Sequence, residues 1–279
     1  MNTQTITAEL PRARRRPRWS PRLVSAEFLK LRKRRGLVLS ALALTVVPMI
    51  IAHTVLVTLD GPAGGMENFQ QTMGVLTLLS VVAAVLVGAM LGTGDLGAGV
   101  FRELVVTGRS RFALFAARVP AGLGLLLPIV GTAFAITATA STVLAGSQEP
   151  RMVHGVFNPG NVAPSVSLLV QAAGWLALVT ALSFVLALGV SSLLGSRGTS
   201  IGVLLGWWLV AMPVLMNIRP LGSLREGLAV PALDRLAPAA LFEGDPAVPM
   251  SLAAVAAVLL AWAVVPLAVG AWRTCTRDA

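Results

Sequence analysis

Few residues in this chain have the types and the spacing that covalent chemistry requires. The 279 residues include two histidines, His53 and His154, and one cysteine, Cys275. The sequence contains neither a G-x-x-x-x-G-K-[ST] phosphate-binding loop nor an H-E-x-x-H zinc motif. With two histidines and no cysteine pair, a metal site or a serine–histidine pair is poorly supported. The sequence therefore predicts no enzyme activity and no bound cofactor, and it indicates that His53 is a packed or cavity-facing polar residue rather than a base.

The elements that carry these residues are six long apolar stretches without Asp, Glu, Lys or Arg. A hydrocarbon core of about 30 Å needs roughly 20 helical residues to cross it. Each stretch has that length, so the chain is predicted to be an all-α integral membrane protein with six transmembrane helices. The predicted spans cover residues 37–59, 73–94, 119–145, 165–194, 200–218 and 250–272.

The basic residues indicate the orientation of these spans. The chain has 22 Lys and Arg and a net charge of +10. Of these residues, 18 fall on one side of the alternating spans and four on the other. Because cytoplasmic loops carry the Lys/Arg excess, both termini are predicted to be cytoplasmic. The placement favours a multi-pass plasma-membrane protein and argues against nucleic acid as a partner.

Carboxylates are missing from the spans, which bears on transport chemistry. Proton- or sodium-coupled carriers usually keep an Asp, Glu or His relay within the bilayer. His53 is the one such residue in the predicted spans. Energy for any transport is therefore expected to come from a partner subunit.

The N-terminal 36 residues divide into two parts. Residues 1–18 are rich in Arg and polar residues and are predicted to be a basic, disordered tail. Residues 19–36 are predicted to form an amphipathic helix in the membrane interface, held to anionic lipid by its basic side chains. The residues assigned to this interfacial helix are Glu27, Phe28, Lys30, Leu31 and Arg32. Two interpretations of this helix are open: it serves only as a topology anchor, or it additionally contacts a cytoplasmic partner.

Small and aromatic residues within the spans indicate packing. The pairs Gly88–Gly92 and Gly202–Gly206 have the spacing that lets two membrane helices approach closely. Trp207 and Trp208 are mid-span, and they face a neighbouring helix, a cavity or a second copy of the chain. The segment 219–249 is partly apolar, is divided by prolines, and is predicted to be external with short amphipathic helices.

The most specific feature is the predicted cytoplasmic loop 95–118, whose residues 95–111 read Asp-Leu-Gly-Ala-Gly-Val-Phe-Arg-Glu-Leu-Val-Val-Thr-Gly-Arg-Ser-Arg. This stretch resembles the corresponding loop of the type-2 ABC exporter permeases. In that family an acidic residue is followed four positions later by Gly-Thr, then by a short apolar helix and a Thr-Pro-x-Ser-Arg stretch. Here Asp95 and Gly99 stand at the first positions, and Val100 and Gly108 replace the family's threonine and proline. The remaining matches are Phe101, Arg102 and Leu104 in the short helix, Thr107, Ser110 and Arg111 in the stretch after it, and Arg118 at a later basic position.

The N-terminal run Ala26–Arg32 is similar to the helix that precedes the first span in the same family. The number of spans, the cytoplasmic termini and the partly apolar loop before the last span also match it. The resemblance implies a permease that forms a homodimer or heterodimer and sits on two ABC ATPase subunits. It also implies a coupling helix that seats in a groove of the ATPase. The residues it assigns to coupling are Asp95, Gly99, Phe101, Arg102, Glu103, Leu104 and Arg111.

The sequence is compatible with other functions. The loop 95–118 is either a coupling helix or a plain solvated loop. The chain as a whole is an exporter permease, a non-transporting anchor or assembly module, or a secondary carrier. The absence of fixed charge from the spans favours an amphipathic or apolar substrate. The resemblance implies that the substrate is a drug, a peptide antibiotic, a lipid or a polysaccharide, and nothing in the sequence selects among them. Residues 273–279 are predicted to be a cytoplasmic tail.

Overall fold

A computed structural model of the chain describes residues 21–59, 65–97, 110–145, 151–153, 156–158, 162–241 and 248–276. The predicted disordered tail, 1–18, lies outside them. The helices of the described residues are α1 (Pro21–Lys33), α2 (Arg35–Leu59), α3 (Gly65–Gly97), α4 (Arg111–Ala145), α5 (Val166–Leu194), α6 (Arg197–Gly206), α7 (Met212–Asn217), α8 (Ala229–Leu236) and α9 (Leu252–Thr276). A π-helical turn (Trp207–Ala211) joins α6 to α7, and a 3₁₀ segment (Arg219–Gly227) follows α7.

Six helical stretches are long and apolar enough to cross a membrane, as the sequence predicts. Five of them are α2, α3, α4, α5 and α9, and the fifth span along the chain runs through α6, the π-helical turn and α7. The protein is therefore a multi-pass helical membrane protein. A two-stranded antiparallel hairpin, β1 (Arg151–Val153) with β2 (Val156–Asn158), lies between α4 and α5, in a segment where the sequence indicates only a loop.

Two helices extend well beyond the predicted spans. α3 begins at Gly65, whereas the apolar pattern of the sequence begins only at Met73. α4 begins at Arg111, whereas the apolar pattern begins only at Val119. At about 1.5 Å per residue each helix is roughly 50 Å long, more than the hydrocarbon core requires. Residues 111–118, which the sequence assigns to the coupling loop, are therefore the first two turns of a helix.

The centre of the bundle is the pair α3 and α5, and glycines set their separation. A Cβ atom placed on Gly88 would lie 2.7 Å from the Cβ of Ala187 and 2.8 Å from the carbonyl oxygen of Phe184. A Cβ atom on Gly92 would overlap the Ser191 hydroxyl. Only glycine permits this approach, so the small-residue spacing of Gly88 and Gly92 does mark a helix contact.

The second glycine pair differs from the first. No described atom beyond the local helix lies within 4 Å of a Cβ placed on Gly202 or Gly206. Val203, Val210 and Val214, on the same span, are also exposed. The fifth span therefore presents an apolar surface that no other described part of the chain covers.

α1 is an amphipathic helix as predicted, and it packs directly on the bundle. Leu23 and Leu31 are buried, and Leu23 contacts Ala113, Leu114 and Ala117 on the first turns of α4. The chain turns at Arg34, and α2 begins at Arg35. The packing fixes the position of α1 against the start of α4, while its depth in a membrane interface stays a prediction.

Candidate functional site

The predicted coupling residues fall at the edge of the described chain. Asp95 is in the last turn of α3, and Arg111 is the first residue of α4. The other assigned residues, Gly99, Phe101, Arg102, Glu103 and Leu104, lie outside the described residues. What the structure defines is the frame that holds the two ends of this loop.

Arg118 joins the two helices that flank the loop. Its side chain is 3% exposed, and its Nη1 donates a hydrogen bond of 3.1 Å to the carbonyl oxygen of Leu91 in α3. A buried guanidinium needs such partners, because desolvation of a charge is costly. Arg118 thus ties the first turns of α4 to the last turns of α3.

Arg111 joins the start of α4 to the end of α9. Its Nη1 donates a hydrogen bond of 3.2 Å to the carbonyl oxygen of Cys275, next to the last residue of α9. A cation at a helix C-terminus is favourable because it meets carbonyl groups that lack helical donors. Ser110 caps the start of α4, since its Oγ accepts a hydrogen bond of 3.2 Å from the amide of Ala113.

The residues assigned to the interfacial helix have different environments. Leu31 is buried, Phe28 is half-buried and Arg32 is exposed. Lys30 and Glu27 form an ion pair of 3.7 Å.

The turn after α1 also contacts α3. The Nη1 of Arg34 lies 3.2 Å from the position that a Cβ atom on Gly94 would occupy. We use the term basic end for the end of the bundle that holds Arg34, Gly94, Arg111, Arg118 and Cys275. There α1, α3, α4 and α9 are joined to one another.

The opposite end of the bundle contains an apolar cavity of about 280 Å³. The cavity lies between α3, α5, the π-helical turn and α8. Trp175 positions α8 over it, because its Nε1 donates a hydrogen bond of 2.9 Å to the carbonyl oxygen of Leu233. The lining side chains include Thr77, Val81, Val179, Trp208 and Asp234.

One carboxylate lies among the apolar side chains of this cavity. Asp234 is exposed on one side, and burial against the apolar wall on the other raises the pKa of its carboxyl to about 6. Trp208 has a buried indole N–H without a hydrogen-bond partner among the described residues. Its neighbour Trp207 packs instead on Trp262 of α9, with ring centroids 5.6 Å apart. Trp208 therefore lines the cavity, and Trp207 packs on a neighbouring helix.

Asp234 and Trp175 carry the geometry of this cavity, and the sequence does not single them out. Asp234 falls in the predicted external segment, where a solvated carboxylate is the ordinary expectation. The one signal for it is the partly apolar character of that segment. Trp175 is one apolar residue among many in its span, so nothing local indicates its bond to α8.

Several polar side chains of the first three membrane-spanning helices are buried among apolar residues. His53 is buried, as predicted for a packed residue, and neither ring nitrogen has a hydrogen-bond partner within the described ranges. Asn68, Thr137 and Ser141 are also buried, and the polar atoms of their side chains have no hydrogen-bond partner in the part of the chain that the structure describes. The described residues contain no group of three or more His, Cys, Asp and Glu that is suited to a metal ion.

A serine motif in the fifth span also lacks the setting for catalysis. Residues 198–202 read Gly-Thr-Ser-Ile-Gly and match the nucleophile pattern G-x-S-x-G. That pattern works where the serine sits on a sharp turn between a strand and a helix. Ser200 is instead buried inside α6, and its hydroxyl donates a hydrogen bond of 2.6 Å to the carbonyl oxygen of Ser196. The serine is a helical residue bonded to its own backbone.

No protein-family model matches the chain, and no curated protein matches it significantly.

Proposed function

We propose that this chain is the transmembrane permease subunit of an ATP-driven ABC exporter. In this proposal the chain hydrolyses no ATP itself. It forms a homodimer or a heterodimer in the plasma membrane, with both termini cytoplasmic, and two separate ATPase subunits bind its cytoplasmic loop.

The observation that supports this proposal most is the frame at the basic end. The loop that resembles a coupling helix leaves α3 beyond Gly97 and enters α4 at Arg111. Arg118 bonds α4 to α3, and Arg111 bonds α4 to the end of α9. A push on the loop would therefore be carried into several helices as a rigid-body motion, as ATP-driven transport requires.

The exposed surface of the fifth span supports a second permease copy. A Cβ atom placed on Gly202 or Gly206 would have no described atom beyond the local helix within 4 Å, and small residues of this spacing allow close helix approach. An apolar surface of this kind also contacts lipid without cost. The assignment of a dimer therefore rests on the family resemblance together with this surface.

The cavity at the opposite end supports an amphipathic or apolar substrate. Its wall is formed by apolar and aromatic side chains with one carboxylate, as small-molecule sites commonly are.

The test is co-purification with matched variants. The tagged chain would be purified from its own membrane in mild detergent, and bound proteins would be identified by mass spectrometry. We expect a stoichiometric P-loop ATPase that is lost in Phe101→Asp. The control is Leu224→Asp, which places the same charge on a side chain that is 74% exposed at the opposite end.

Two results would contradict the proposal. An intact chain without an ATPase would favour the anchor module or the secondary carrier. Equal ATPase recovery from the Phe101→Asp variant would remove Phe101 from the contact and leave the loop as solvated chain.

A further inference from the structure

A groove runs along the outside of the bundle beneath α1. It has two lobes, of about 500 Å³ and about 430 Å³, and the side chains of Phe28 and Arg32 line both. The larger lobe lies between α1, α2 and α4, and the smaller one lies between α1 and the start of α4. Both are open to the exterior of the bundle.

The walls of the larger lobe are apolar over most of their length. Leu39, Leu125 and Ile129 contribute aliphatic side chains. Gly124 has no side chain to occupy this lobe. A Cβ atom at this position would be in van der Waals contact with the Phe28 ring, at 3.7 Å. Pro128 has no amide hydrogen, so the carbonyl of Gly124 lacks its helical donor at this point of the groove.

Two guanidinium groups lie at one end of this apolar surface. Arg32 is in the last turn of α1, and Arg35 is the first residue of α2. Both side chains are exposed, both line the larger lobe, and neither forms an ion pair with a described residue. Within the described chain, the positive charge at the mouth of the groove is not neutralised.

We propose that this groove is a binding site for one anionic phospholipid. The phosphate lies at Arg32 and Arg35, and the acyl chains lie along the apolar lobes. The charge favours an anionic headgroup over a zwitterionic one, and the open apolar walls favour acyl chains over a polar ligand. Basic pockets between membrane helices are a known means of recognising anionic lipid.

The site is independent of the ATP-driven function. It requires neither an ATPase nor a transported substrate, so its failure and the failure of the permease proposal are separate results. The site differs from a general attraction of a basic segment to an anionic membrane. It assigns the preference for an anionic headgroup to Arg32 and Arg35, and it gives the other basic residues of α1 no part in that preference.

The test is native mass spectrometry of the purified, delipidated protein titrated with phosphatidylglycerol or with phosphatidylcholine. We expect one phosphatidylglycerol to bind more tightly than phosphatidylcholine. Each guanidinium near an anionic headgroup is worth about fivefold in affinity, so Arg32→Gln with Arg35→Gln should weaken phosphatidylglycerol binding by about 25-fold. Phosphatidylcholine binding should change little, and excess inorganic phosphate should displace neither lipid.

The matched control removes two charges of α1 that lie outside the groove. Arg22 and Lys33 are exposed on α1 and do not line either lobe. Arg22→Gln with Lys33→Gln should keep the preference for phosphatidylglycerol. Equal binding of the two lipids by the wild type, or an equal loss in this control, would overturn the site.

A second variant tests the apolar part without any change of charge. Gly124→Leu places a side chain in the larger lobe, and we expect binding of both lipids to fall while the thermal midpoint without added lipid stays within the range of the other variants. Undiminished phosphatidylglycerol binding in this variant would show that the acyl chains lie elsewhere and would refute the proposed pose.

Discussion

Two glycines of α3 give opposite predictions for the same substitution. Replacing glycine by alanine inside a helix stabilises it by about 1 kcal/mol, since glycine has more freedom to lose on folding. Gly74→Ala should keep this gain, because no neighbouring atom lies within 4 Å of the new Cβ. Gly88→Ala should lose it, because its Cβ would lie 2.8 Å from the Phe184 carbonyl oxygen and 3.0 Å from the Leu188 amide nitrogen.

The size of the effect follows from what has to move. Backbone atoms cannot rotate aside as a flexible side chain does, so α3 and α5 must separate. Overpacking of this kind typically costs about 1–3 kcal/mol, which leaves Gly88→Ala destabilised by up to about 2 kcal/mol after the helix gain is subtracted. At about 2–4 °C per kcal/mol, the Gly88→Ala midpoint should fall by up to about 8 °C, and that of Gly74→Ala should rise by about 2–4 °C.

The assay is thermal unfolding of the purified variants in one detergent, followed by tryptophan fluorescence at a fixed scan rate. The fixed rate matters because membrane proteins often unfold irreversibly, so that only midpoints taken under one condition can be compared. A Gly88→Ala midpoint equal to or above that of Gly74→Ala would refute the close contact between α3 and α5.

Three further predictions concern other parts of the chain. Asn68→Leu should raise the midpoint in the same assay, because the buried Asn68 amide has no partner among the described residues and such a group costs about 1–3 kcal/mol; an unchanged or lower midpoint would indicate that Asn68 has a ligand or partner. For Asp234, burial raises the pKa from 3.8 to about 6, so the folded state holds the proton more tightly than the unfolded state does. Stability of the wild type should therefore fall as the pH rises through that window, and the midpoint of Asp234→Asn relative to the wild type should increase over it; a constant difference would contradict the pKa shift. A membrane-impermeant maleimide applied to intact cells should leave Cys275 unlabelled and should label Leu224→Cys in a Cys275→Ser background, and the reverse pattern would place the termini outside.

The membrane architecture was predictable because its signal is strong and local. Six uncharged stretches of about 20 residues have few alternatives to membrane spans. The helix ends were less predictable, since hydropathy marks the part of a helix that lies in hydrocarbon rather than the whole helix. α3 and α4 continue into polar sequence at Gly65 and Arg111, where helical hydrogen bonds persist after the apolar pattern has ended.

The contacts of the basic end were not predictable from the sequence. The resemblance assigns Arg111 to coupling and matches Arg118 to a family position, yet it gives neither residue a partner. The partners are carbonyl groups of Leu91 and Cys275, and every residue has a carbonyl. Which carbonyl lies near a guanidinium depends on how α3, α4 and α9 align, and only tertiary packing determines that.

The groove beneath α1 shows the same limit in a different form. The sequence predicts an amphipathic helix near anionic lipid and treats its basic residues alike. The structure separates Arg32, which lines the groove, from Lys33, which does not. This distinction depends on where α1 packs against α4, and helical periodicity alone does not give it.

The central claim is that this chain is the membrane part of an ATP-driven complex. Native mass spectrometry of the tagged chain, purified from its own membrane, measures the composition of that complex directly. We expect two permease chains, identical or related, together with two ATPase subunits. Detection of the chain without any partner, or of a complex that contains no nucleotide-binding subunit, would contradict the permease proposal.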